Sequence, residues 1–127
     1  MGNTDKGFKS LLAYQKAYMS AMEIFVLSKH FPMEERFSLT DQIRRSSRSV
    51  CANIAEAYRK RVYVKSYTAK LTDADSECSE TIVWLNFAKD SGYITEDVLI
   101  PMEETYDEIG KLIGYMLNCP EKFGVKI

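Results

Sequence analysis

The sequence predicts an all-α protein, an antiparallel up-down-up-down four-helix bundle, and three observations carry the prediction. Apolar residues recur at helical spacing through four long segments, short stretches rich in helix-ending residues separate them, and no alternating run bounded by turn pairs competes as a strand. Short connections make sequential helices antiparallel neighbours. With 127 residues, 46% hydrophobic and 28% charged, the chain is long enough to bury a core as one domain over 1–127, flexible only at its termini.

The first helix is expected over about 8–29, with Leu11, Leu12, Met19, Met22, Phe25 and Val26 as its core side. His30-Phe31-Pro32 ends it. The second runs over 39–58, where Leu39, Ile43, Ser46, Val50, Asn53 and Ala57 share one side. Ser38 is placed to cap it, and Asp41 to meet free backbone N–H groups of the first turn. A basic connection leads to the third helix, 64–90, with Tyr67, Leu71, Ala74, Cys78, Ile82 and Leu85 inward and Ser91-Gly92 as its stop. The fourth, 96–117, starts from Thr95 as N-cap and turns Val98, Met102, Tyr106, Ile109, Ile113 and Met116 to the core. Pro101, past its first turn, is expected to bend it.

Cys51, Cys78 and Cys119 fit neither a zinc spacing nor a paired framework, so they are read as reduced core thiols of a cytoplasmic protein. No apolar run of about eighteen residues exists to span a membrane, and the N-terminal segment lacks the order of a secretory signal. A net charge of −1 conceals segregation. Residues 42–70 hold eight basic side chains against Glu56 alone, and residues 71–110 hold eleven acidic ones against Lys89 alone.

The stretch Leu39-Thr40-Asp41-Gln42-Ile43-Arg44-Arg45-Ser46-Ser47, continuing Ser49-Val50-Cys51-Ala52-Asn53-Ile54-Ala55-Glu56-Ala57, resembles the signature of the four-helix-bundle family of 23S rRNA intervening-sequence proteins. Glu80 and the Gly92-Tyr93-Ile94 turn are further points of likeness, and the similarity runs from about Phe8 to Leu117. Cys51 stands where the family often has proline and Ala57 where it usually has glycine; both residues continue a helix readily. The resemblance implies a bundle that assembles into a ring of five subunits and has no established enzymatic activity. It also implies kinship with accessory proteins of diversity-generating retroelements, which look like nucleic-acid binders.

On the second helix Arg44, Arg45, Arg48 and Arg59 gather opposite the core side, with Ala52 and Ala55 between them. Three readings stand side by side. Arginine forks suit phosphate, so Arg44, Arg48 and Arg59, with Arg61 and Lys65 beyond the helix end, are candidate RNA or DNA contacts beside Tyr58 and Tyr63. Alternatively Arg45, with Ala52 and Ala55 allowing close approach, meets the acidic strip Asp73, Glu77 and Glu80 of a neighbouring subunit, with Trp84 as the buried anchor. The third reading is a charged outer side that only keeps the helix soluble. Partners are then a second copy of the chain, RNA or DNA, or another protein, and no membrane.

Asn53 is expected to bond a neighbouring helix, and Glu56 to meet Arg59 or Lys60 one turn later, which makes both structural. The single histidine, His30, rules out paired Glu-x-x-His metal chemistry and leaves any Ser/His or Cys/His site dependent on a loop residue. Phosphate-cradling glycine loops are absent. No cofactor, metal or catalytic residue is expected.

Overall fold

Four α-helices carry most of residues 7–126, the part of the chain that this computed structural model describes: α1 (Leu12–Ser28), α2 (Leu39–Arg59), α3 (Val64–Asp90) and α4 (Glu96–Asn118). A short 3-10 turn at Met33–Glu35 lies between α1 and α2, two more at Gly7–Ser10 and Pro120–Phe123 flank the bundle, and no strand occurs among the described residues. The expectation of flexible termini falls partly on residues 1–6 and 127, outside that range.

Each helix packs on two others, α1 and α3 on α2 and α4, so α1 and α3 occupy opposite corners of a square. Cross-helix contacts fix the directions. Arg45 meets Glu77 while Glu56 meets Lys70, and Asn86 meets Glu103 while Tyr67 meets Met116. Arg44 reaches back to Ser28, and Lys16 pairs with Glu108. Tyr14 lies near Cys51 and Ser20 near Tyr106, so the two pairs made by α1 also have one number rising as the other falls, and all four neighbouring pairs are antiparallel.

The inward sides of α2, α3 and α4 are nearly those their periodicity predicts, with Ile43, Val50, Ile54, Tyr67, Leu71, Leu85, Tyr106, Ile109 and Ile113 fully buried. Among the predicted core residues, Asn53, Ile82 and Val98 are only half-buried. The first helix differs. Its buried residues are Ala13, Ala17, Ser20, Ala21, Ile24 and Ser28, while Leu12, Met19, Met22 and Val26, expected inside, are exposed and Phe25 is half-buried. Apolar residues occupy most sides of α1, so bulk does not mark the inward one, and small residues let it approach α2 and α4 closely.

Helix ends follow local chemistry. After α3 the Gly92 backbone takes φ +82°, and the Gly92 and Tyr93 N–H groups donate to the Lys89 and Ala88 carbonyls, at 3.0 and 2.8 Å. That pair of bonds closes the helix and suits glycine at the left-handed position. At the start of α2, Ser38 occupies the capping position but makes no capping bond. Glu35 does the work instead: its Oε1 accepts from the Ser38 hydroxyl at 2.6 Å and the Leu39 N–H at 3.3 Å, and its Oε2 accepts from the Tyr93 hydroxyl at 2.8 Å. Thr95 likewise holds the N-cap position of α4 without a side-chain bond. That helix is unbroken through Pro101, which is exposed, as is Asp97, whose carbonyl loses its helical donor there.

Candidate functional site

One hydroxyl pair locks α2 to α3 in the core. Thr81 Oγ1 lies 2.8 Å from the Glu77 carbonyl and 2.9 Å from Ser46 Oγ. A hydroxyl carries one proton, so Thr81 donates to the carbonyl and accepts from Ser46. This is the interhelical polar link that the sequence assigns to Asn53. Asn53 itself is half-buried, with no side-chain hydrogen bond among the described residues. Glu56 pairs with Lys70 of α3 at 3.2 Å rather than with Arg59 or Lys60, because the antiparallel neighbour brings that ammonium closer than its own next turn does.

The same packing redirects Arg45. Its guanidinium binds Glu77 at 3.2 Å and also Glu80, both on α3 of the same chain. Glu77, Glu80 and Trp84 are half-buried and flank the α2–α3 seam instead of projecting outward, and Asp73 alone of the strip is exposed. The Trp84 ring already packs against the core of its own bundle, with its indole N–H buried and without an acceptor among the described residues. The charge complementarity visible in the sequence is therefore met within one chain at Arg45.

The remaining α2 cations fall into two groups. Arg44 lies on the Phe25 ring at 4.8 Å and donates to the Ser28 hydroxyl at 2.7 Å, and exposed Arg48 leans toward the same ring at 5.7 Å. Both line a shallow cleft of about 600 Å³ with Arg36, Arg45 and Ala52. Ala52 is exposed and Ala55 half-buried, and together with Arg48 they also wall a groove between α1 and α2 that contains Tyr14, Tyr18 and Met22. Fifteen residues further along α2, about 22 Å, Arg59 joins Arg61, Tyr58, Val62 and Lys126 around a cleft of about 740 Å³.

Arg61 is built into that second cleft. It stacks on Tyr58 at 3.6 Å and donates to the Tyr58 and Phe123 carbonyls at 2.8 and 3.0 Å. It thus ties the α2–α3 connection to the C-terminal turn, a structural task that phosphate binding does not need. Arg59 and Lys65 are exposed. Among the described residues no carboxylate pairs with Arg44, Arg48, Arg59, Arg61 or Lys65.

Of the cysteines, Cys51 and Cys78 are buried, and burial pushes their thiols up to about 11 and about 12; Cys119 is only half-buried, at the end of α4. No group of three His, Cys, Asp or Glu side chains among the described residues is placed to hold a metal ion, and no described helix is long and apolar enough to cross a membrane.

The fold and its surface define a small all-α four-helix-bundle protein with a cationic flank along one helix. The chain belongs to the family of 23S rRNA-intervening sequence proteins, whose model matches residues 9–115. It is similar to a crystal structure of a protein with unknown function from the S23 ribosomal protein family of Bacteroides thetaiotaomicron. That likeness has a TM-score of 0.76 at 30% identity, over 84% of this chain and 96% of the other. Among curated proteins none matches.

Proposed function

We propose that this protein is a non-enzymatic, cytoplasmic helical bundle that assembles with copies of itself, in the ring of five that its family resemblance implies, and holds RNA or DNA through phosphate contacts from α2 and the following connection. The observation that carries the nucleic-acid part is the row of α2-side cations without carboxylate partners, beside a seam where Arg45 has taken Glu77 and Glu80. A guanidinium that is neither paired nor withdrawn from water keeps its fork for an outside anion. Arg59 and Lys65 are the principal contacts, Arg44 and Arg48 extend the track, and Arg61 shapes the cleft between them and the C-terminal turn. Repetition around an assembly adds weak single contacts as avidity.

Fluorescence polarisation of a labelled single-stranded RNA and its DNA counterpart tests this. Affinity should fall by orders of magnitude between about 50 and 200 mM salt. Arg59→Glu with Lys65→Glu should abolish binding and leave the assembly intact, whereas Arg45→Glu should loosen the α2–α3 seam first. Absence of binding to either polymer at low salt refutes the nucleic-acid part. The second reading is a scaffold held by pairing of basic and acidic faces between subunits. The Arg45 pairing within one chain leaves that reading Asp73 and the alanine surface as its free members.

A further inference from the structure

The outer side of α1 carries a stripe that its own bundle leaves open. Leu12, Gln15, Met19, Met22 and Val26 follow one another at three, four, three and four residues, the spacing that holds a seam toward a partner helix. Leu12 is 51% exposed, Met19 64%, Met22 48% and Val26 55%. Four large apolar side chains left open along one helix side of a protein in water mark a contact surface.

At the opposite corner of the square, α3 presents a stripe of the same spacing. Ala69, Thr72, Ser76, Ser79 and Val83 also succeed one another at three, four, three and four residues, and all are exposed. None is charged or larger than valine. The Thr72 hydroxyl already donates to the Thr68 carbonyl at 2.9 Å, and the hydroxyls of Ser76 and Ser79 can turn to the carbonyl one helical turn back in the same way, so covering the stripe strands no donor. Both stripes span fourteen steps of helix, about 21 Å.

We infer that the α1 stripe of one copy docks on the α3 stripe of a second copy, large side chains seated on small ones. Pairing α1 with α1 sets methionine against methionine and leaves the α3 stripe uncovered. Pairing α1 with α3 covers both, because small residues admit the close approach that large knobs require. The two stripes are different surfaces of one chain, so the contact is head-to-tail, the kind that closes into a ring where the rotation between copies allows it. The inference rests on the self-assembly reading and names its surface. It also frees the α2 cations from any task in assembly.

Light scattering on the full chain tests it with two paired variants. Met19→Glu with Met22→Glu blocks α1, and Ser76→Glu with Ser79→Glu blocks α3; all four positions are exposed, so helix content by circular dichroism should not change, and the two blocked stripes repel each other. Each variant alone should be monomeric. An equal mixture should yield a one-to-one heterodimer, because each variant retains one intact half of the contact. Wild-type-like assembly of either variant, or a mixture that stays monomeric, overturns the inference while self-assembly stands. A monomeric wild-type chain removes both. Met19 and Ser76 are the central members of their stripes, so they face each other whichever way the helices run. A Met19→Cys, Ser76→Cys chain in a Cys119→Ser background should therefore oxidise to a covalent ladder, and Met19→Cys alone should not. Failure of the ladder overturns the inference even where a charged variant misfolds.

Discussion

At Gly124 the backbone takes φ +84°, and a Cβ built there would stand 2.9 Å from the Arg61 guanidinium. That guanidinium is held by two carbonyls and the Tyr58 ring, so it has little freedom to retreat. Gly124→Ala should therefore lower stability by about 1 kcal/mol or somewhat more, from the left-handed conformation and the displaced arginine together. Urea denaturation measures it, and an unchanged midpoint would show that the C-terminal turn does not depend on this contact. Glycine at a helix exit is readable from sequence, as at Gly92. A glycine that makes room for an arginine sixty-three positions away is not, because nothing local signals the approach.

At the scale of the element, α2 depends on a residue outside it. Three hydrogen bonds to the Glu35 carboxylate, first from Ser38, then from Tyr93 and the Leu39 N–H, hold its proton affinity below that of an ordinary glutamate. A lowered folded-state pKa means stability that is present above the unfolded value and lost as pH falls through the folded one. Glu35→Gln should thus weaken the protein most at neutral pH. Its difference from wild type should shrink as the solution is acidified through the glutamate range, as followed by denaturation midpoints from pH 7 downward. A difference independent of pH would assign the effect to lost packing. The amphipathic pattern made α2, α3 and α4 legible because polar residues bracket one apolar side. For α1 the same approach picked the wrong side, since apolar residues nearly encircle it and alanine carries a weak signal. The cap was misassigned because Ser38 fits the local rule while the actual acceptor sits three residues earlier and is shared with Tyr93. The Arg45 pairing was within reach: antiparallel neighbours of known start place Arg45 beside Glu77 and Glu80.

For the whole molecule, the two buried thiols report opening of the bundle. Cys51 and Cys78 are held neutral by burial, with pKa values of about 11 and about 12, whereas Cys119 is half-buried at the end of α4. At pH 8 a thiol reagent should label Cys119 first, and Cys51 and Cys78 only as fast as the four helices separate. Mass spectrometry resolves the three, and mild urea should accelerate the slow pair together. Equal rates at all three sites would mean that the core breathes far more than its packing implies. Function was less legible than fold because charge pattern alone does not say whether a cation's partner lies in the same chain, in a copy, or in a polymer. Antiparallel packing decides this for Arg45, and leaves Arg48, Arg59 and Lys65 facing water.

The alanine-lined interior of α1 reverses the common relation between size and depth. Adding even one methylene at Ala17, which has no exposed surface, drives α1 off its neighbours, while trimming Leu12 or Met19 opens no void in the lone bundle. Mutational tolerance along this helix should therefore run inside out except at buried Ile24, with bulk forbidden at its small residues and freely removable from its exposed large ones until a second copy arrives.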